Sequence, residues 1–343
     1  MNGKEKRIEN FKEFLKKFNY EDKVAVILPC YKTKSYVIEV VKECLKYVDL
    51  VICIDDFCPL NTGQFLKDNF KTNKVKVINH KNNKGVGAAF KTGVKFASEN
   101  GIEVVIKIDS DGQMDPKYIP LLSSIVIRGE SCICKGNRLS RVEDLVLMPK
   151  VRLIGNILLS YISKMTTGYW EIFDPTNGFF AYRINTLRLS ELEKTNNRYF
   201  FETDLLFRCS LENIYIEQIP MPAKYGNEIS SLKPLKSIPF FVKKHLEVFI
   251  KRTVYQYLIM DFNSGSIQLI SGILAFTGFL IVGLFSLVKS YLSKEFSSPG
   301  TVGVFIILGI ISLQFLLAFI NFDTNQRMFH RKFYGIKKKN NNI

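Results

Sequence analysis

Two carboxylates two positions apart, Asp109 and Asp111, stand with Gln113 directly after the apolar run Val104–Ile108. On a turn that curls, such a pair converges on one hard divalent cation, whose remaining positions go to phosphate oxygens. A metal held there would neutralise the charge that builds on a departing diphosphate. Asp-x-Asp alone is common, and a solvated turn is the plain alternative. The strand-end position, with Gln113 and Asp115-Pro116 following, is what favours the metal.

Other residues could serve the same chemistry. Asp55 and Asp56 end the run Leu50–Ile54, where a carboxylate can accept hydrogen bonds from a base or a ribose hydroxyl. Asn82-Asn83-Lys84-Gly85-Val86-Gly87-Ala88-Ala89 opens a helix, and it offers either N–H groups for an anion or a packing turn. It lacks the G-x-G-x-x-G spacing, so a dinucleotide fold is not supported. Asp174, in Asp174-Pro175-Thr176-Asn177-Gly178, and Glu202 and Asp204, in Phe201-Glu202-Thr203-Asp204, could activate or orient an acceptor. Glu202 and Asp204 cannot share one helix face, so at most one of them should face the site. Arg138, Arg152, Lys224 and Lys233 could bind phosphate, although each taken singly reads as a surface cation. His80, His245 and His330 fit no triad or metal spacing, and Trp170 suits either a sugar stack or a membrane interface.

The elements that must position these groups follow from the apolar pattern. Val24–Leu28, Leu50–Ile54, Val75–Ile78, Val104–Ile108 and Ser131–Lys135 read as short buried strands. Tyr36–Tyr47, Asn61–Phe70, Gly87–Glu99 and Pro116–Ile127 read as the helices between them. Strand–helix alternation predicts an α/β domain with a mostly parallel sheet covered on both faces, and ligands at the carboxyl ends of its strands. It spans 23–232, after an amphipathic helix over 1–22 that lies on the protein or on a membrane. The seven cysteines form no C-x-x-C pair and read as reduced, buried thiols, without a zinc site.

Beyond Pro220 and Pro222 the chain changes character. Residues 233–262 carry lysines and aromatics in helical rhythm, broken by Pro234 and Pro239, as interfacial helices do. Ile267–Val288 and Val302–Phe322 are uncharged. At about 1.5 Å per residue each can cross a roughly 30 Å hydrocarbon core, so 263–326 is expected to form a two-helix hairpin. The net charge of +16 concentrates around Lys233–Arg252 and Arg327–Lys339 rather than in any nucleic-acid-binding pattern. Such flanks suit anionic lipids and put the α/β domain, both termini and the basic tail 327–343 on the cytoplasmic side of an integral membrane protein.

Taken in order, the motifs resemble the family-2 glycosyltransferases, in particular the polyprenyl-phosphate branch that includes the dolichyl-phosphate mannose synthases. Val26-Ile27-Leu28-Pro29-Cys30-Tyr31, Ile54-Asp55-Asp56, Asn83 to Ala88, Asp109 to Gln113, Lys135-Gly136-Asn137-Arg138, Asp174 to Gly178 and Phe200 to Asp204 carry the likeness over about residues 23–235. The resemblance implies a GT-A fold and an inverting, single-displacement transfer. It implies that Pro29, Tyr31, Asp55 and Asp56, with Asn83, Lys84, Gly85 and Asp109, hold the nucleotide-sugar. Asp109, Asp111 and Gln113 would hold Mg²⁺ or Mn²⁺, Arg138, Arg152 and Lys233 would meet an acceptor phosphate, and the base would come from Asp174, Glu202 or Asp204. Lys32-Thr33 after Tyr31, Phe57-Cys58 after Asp56, and Ser230-Ser231-Leu232-Lys233 depart from the family pattern and mark a sub-branch with its own donor or acceptor preference.

The expectation is an enzyme moving a sugar from a UDP- or GDP-sugar to a lipid-linked acceptor, with polyprenyl phosphate favoured and room for a homo-oligomer. Transfer to a saccharide acceptor is the first rival, and a non-catalytic membrane scaffold the second.

Overall fold

The computed structural model describes residues 3–21, 23–140, 150–222 and 234–340. The chain divides into two compact units, Met1–Val248 and Phe249–Ile343.

In the first unit, seven strands make one sheet: β1 (Val24–Cys30), β2 (Leu50–Asp55), β3 (Val75–Asn79), β4 (Val104–Lys107), β5 (Ile133–Asn137), β6 (Phe180–Arg183) and β7 (Ile216–Pro220). Their order is β3-β2-β1-β4-β6-β5-β7. β6 pairs antiparallel with both β4 and β5, while every other pairing is parallel. The five expected strands are all present. β6 and β7 were not read from the sequence, because they lie outside the regular strand–helix alternation that marks the first five.

Residues along β1 alternate between two cores. Val24, Val26 and Leu28 join helices α1 (Gly3–Lys17), α2 (Lys34–Cys44), α3 (Thr62–Asn69) and α5 (Ile119–Ile127) on one face. Ala25 and Ile27 pack on the other face with α4 (Val86–Glu99) and α8 (Phe201–Leu211). Burial on both faces is why these strands read as unbroken apolar runs. The N-terminal helix lies on the protein, with Phe11 and Leu15 buried in the first core.

Two further helices, α6 (Lys150–Thr167) and α7 (Leu189–Glu193), follow β5 and β6. On α6, Ile154, Ile157, Leu158 and Tyr161 form an exposed apolar stripe at helical spacing. α9 (Pro234–Val254) is a single helix that continues through Pro239, where two helices were an open alternative. Its His245 is buried, pairs through Nδ1 with the Thr166 hydroxyl at 2.9 Å, and sits edge-on to Phe200. Burial pushes this imidazole down to about 4.

The second unit holds α10 (Ser264–Ser293) and α11 (Pro299–Asn340), in which Ser264–Ser293 and Pro299–Gln326 are long and apolar enough to cross a membrane. They meet through small residues, with Gly272 against Leu316 and Gly309 against Phe279, and Phe279 stacks on Phe305 at 4.3 Å. At one end, fully buried Arg252 binds Asp323 through Nη1 at 2.7 Å and Nη2 at 3.0 Å, and the Tyr257 hydroxyl donates to the same carboxylate at 2.6 Å.

Candidate active site

The sheet delivers its functional residues at the carboxyl ends of its strands. β4 leads into Ile108, whose N–H bonds the Ile27 carbonyl at 3.2 Å, and the chain then turns through Asp109–Gln113. Gly112 takes φ 79°, a left-handed conformation natural to glycine. Asp111 Oδ1 accepts the Gln113 N–H at 3.0 Å, and the Ser110 hydroxyl donates to the Pro29 carbonyl at 2.6 Å, which ties this turn to the end of β1. One cavity is lined by Asp109, Asp111, Gln113, Arg138, Thr176 and Gly178, among others.

Those donors fit a hard cation. Two carboxylates and an amide supply oxygen only, and among the described residues no three or more His, Cys, Asp or Glu gather to hold a metal unaided. Such a set suits Mg²⁺ or Mn²⁺ completed by phosphate oxygens, rather than a closed structural zinc site.

Beneath the cavity lies a charged floor that the sequence reading overlooked. Lys107 is fully buried, with Nζ 2.6 Å from Asp109 Oδ1, 3.3 Å from the Gly178 carbonyl and 3.6 Å from Glu202 Oε1. Burial alone would lower the Lys107 ammonium, but the Asp109 and Glu202 charges outweigh it and raise it. Burial raises the Glu202 carboxyl even though Lys107 opposes the shift. Lys135, also buried, donates to the Asn177 carbonyl at 2.6 Å, and burial lowers it to about 8. A lysine inside an otherwise apolar strand run, as in Val104-Val105-Ile106-Lys107-Ile108, was the available signal.

Asp174 and Arg138 are brought together. The buried Asp174 carboxylate accepts from Arg138 backbone N at 3.0 Å, Nε at 2.7 Å and Nη2 at 2.9 Å. Burial would raise this carboxyl, yet the Arg138 charge and hydrogen bonds hold it below its ordinary value. Asp204 is placed elsewhere, which corrects its reading as a catalytic acid. Its Oδ2 accepts the Asn196 N–H at 2.8 Å and Oδ1 lies 3.6 Å from Arg208 Nε. Two residues along a helix is about 200° of rotation, so Glu202 faces the cavity floor and Asp204 does not.

Asp55 and Asp56 are placed differently. Asp55 accepts from Cys58 N at 2.7 Å and from Gly63 N, and it lines a hollow with Tyr31, Phe57, His80 and Asn83. Asp56 spends its carboxylate on the protein, taking Lys84 N at 2.9 Å, Gly85 N at 2.7 Å and His80 Nδ1 at 2.7 Å. The Gly87 and Ala88 N–H groups bond the Asn197 carbonyl. The start of α4 is thus a packing turn, with the Lys84 and Gly85 N–H groups on Asp56 and those of Gly87 and Ala88 on Asn197. Lys233 and the Arg152 side chain lie outside the described residues, as does Lys224.

Residues 25–188 match the family described as Glycosyl transferase family 2. This chain carries a family-2 glycosyltransferase domain. The glycosyltransferase is 27% identical over 216 residues to the UDP-N-acetylglucosamine–dolichyl-phosphate N-acetylglucosaminyltransferase of Methanococcus voltae, a match covering 59% of this chain and 86% of that one. It is 26% identical over 265 residues to the dolichol-phosphate mannosyltransferase of Pyrococcus furiosus, covering 75% and 71%. Among solved structures it resembles glucosyl-3-phosphoglycerate synthase from Mycobacterium tuberculosis, crystallised with Mn²⁺, UDP and phosphoglyceric acid. That match has a TM-score of 0.50 and 15% identity, covering 71% of this chain and 82% of the other. The fold is GT-A, and the glycosyltransferase is an enzyme of the hexosyltransferase type.

Proposed function

We propose that this glycosyltransferase moves a hexose-type sugar, with inversion, from a UDP- or GDP-sugar to a lipid-linked acceptor, polyprenyl phosphate above all. The observation that carries the reading is one cavity lined both by the oxygen donors Asp109, Asp111 and Gln113 and by Arg138. Transfer between a diphosphate and a phosphate needs a cation site and an anion site within reach of each other. Mg²⁺ or Mn²⁺ held by those donors would neutralise the departing nucleoside diphosphate.

The chain's own residues orient the partners. Asp174 fixes the plane of the Arg138 guanidinium in the cavity wall, so that its charge faces an acceptor phosphate. That phosphate is already ionised and needs no general base, which suits an Asp174 carboxyl held below its ordinary value. Tyr31 and Asp55, in the neighbouring hollow, are the residues for the donor base and ribose.

Two features support a lipid acceptor and a membrane anchor. Ser264–Ser293 and Pro299–Gln326 can each cross a bilayer. The exposed stripe of α6 is of the kind that lies in an interface, where a polyprenyl chain is met. The basic flanks of the two spans favour a cytoplasmic catalytic domain with both termini on that side, beside anionic lipids.

The test is product analysis with the detergent-solubilised full chain, a panel of UDP- and GDP-sugars, Mg²⁺ or Mn²⁺, and polyprenyl phosphate, alongside Asp111→Asn. Metal-dependent glycolipid that disappears in the variant supports the proposal. Sugar appearing only on saccharide acceptors sinks the lipid part of it, and donor binding that ignores metal and variant alike sinks the catalytic part.

A further inference from the structure

We propose that Lys107 is the resident counter-cation of Asp109, and that Glu202 is a second seat to which its charge passes when Asp109 engages a divalent cation. The inference rests on the reading of Asp109 and Asp111 as the metal site.

The geometry is that of one cation between two anions. Lys107 Nζ sits 2.6 Å from Asp109 Oδ1 and 3.6 Å from Glu202 Oε1. The Lys107 side chain has no exposure, Glu202 has 11% and Asp109 has 34%, so only Asp109 of the three opens substantially toward the cavity. A buried ammonium without a carboxylate partner would be costly, so a cation arriving at Asp109 must leave Lys107 another anion. Glu202 is that anion, one ångström farther than Asp109 in contact distance. The Gly178 carbonyl lies 3.3 Å from the ammonium, and a Cβ at position 178 would crowd both charged groups, at 2.5 Å from Lys107 Nζ and 2.8 Å from Asp109 Oδ2. Lys135 supports the same strip of backbone through the Asn177 carbonyl at 2.6 Å.

Lys107 and Glu202 are therefore positioning residues with opposite effects on the metal. Lys107 competes with the cation for Asp109, and Glu202 draws Lys107 off. Two groups that merely packed the floor would both weaken binding when replaced. Two independent through-space charges would act additively, whereas a hand-over couples them.

The experiment titrates the full chain in detergent with Mn²⁺ alone, following free Mn²⁺ by electron paramagnetic resonance, with thermal stability measured in parallel. The proteins are wild type, Asp111→Asn, Lys107→Met, Glu202→Gln and the Lys107→Met/Glu202→Gln double variant. The proposal expects Lys107→Met to tighten Mn²⁺ by about tenfold and Glu202→Gln to weaken it by about tenfold. It also expects Lys107→Met to give a larger gain in the Glu202→Gln background than in wild type, by about threefold or more. Strictly additive effects, or weakening by both single variants, overturn it. Should Lys107→Met fail to fold, Lys107→Gln takes its place in the same cycle: a gain that is larger in the Glu202→Gln background supports the hand-over, and additive effects overturn it. Wild type that ignores Mn²⁺, or Asp111→Asn that binds it equally well, defeats the metal reading itself and this inference with it.

Discussion

Arg138 grips the buried carboxylate of Asp174 three times, through its own backbone N–H at 3.0 Å and through Nε and Nη2 at 2.7 and 2.9 Å, across 36 residues of chain. That grip holds the carboxyl below its ordinary value and fixes the plane of the guanidinium. Asp174→Asn should accordingly lower stability by about 1 to 3 kcal/mol, since an amide gives up the charge-assisted bonds to the guanidinium. Thermal denaturation checks this, and the gap from wild type should narrow as pH falls below the ordinary carboxylate range and Asp174 itself takes a proton.

His245 sets a pH limit on the first unit. Its folded-state value is pushed from 6.5 to about 4 by burial. Between those values the unfolded chain holds the proton and the folded chain does not, so stability present above pH 6.5 is lost as pH falls toward 4. The loss approaches about 3 kcal/mol at its fullest. Melting temperatures of wild type and His245→Gln across this window should converge as the pH drops, and parallel curves would show that His245 is not responsible.

At Gly87 the limit is space. A Cβ there would lie 2.3 Å from the Asn196 carbonyl oxygen and 2.8 Å from Phe201. The obstacle is backbone and an aromatic core residue, so neither can yield cheaply. Gly87→Ala should cost about 2 to 3 kcal/mol, and the fall in melting temperature should accompany the loss of activity rather than follow it.

The exposed stripe on α6 gives a test of the lipid acceptor. Ile154→Glu with Leu158→Glu puts charge on side chains 66% and 58% exposed, so stability should shift by less than about 0.5 kcal/mol. Turnover of polyprenyl phosphate in vesicles should drop at least about tenfold as two charges oppose entry into the interface. A short-chain acceptor dissolved in water should be turned over as before, and equal loss on both acceptors would argue against a lipid-facing stripe.

The amino-acid sequence by itself determined what depends on near neighbours. Five strands, four helices between them and two apolar spans announce themselves because burial on both faces, helical period and length are written in consecutive residues. Asp109, Asp111 and Gln113 stood out for the same reason, being spaced along a single turn after a single strand. Only the tertiary structure decided which charges meet. Asp56 and His80 are 24 residues apart, Arg138 and Asp174 36, and Lys107 and Glu202 far more, and nothing local specifies such pairs. The reversed strand β6 follows the same logic. It is short, and its place between β4 and β5 comes from the edge hydrogen bonds those strands leave, so its direction belongs to the assembled sheet. The helix start at Gly85–Ala88 makes the point most simply, because its sequence suited an anion or a packing turn, and Asp56 and Asn197 had to arrive from elsewhere in the chain to fill it.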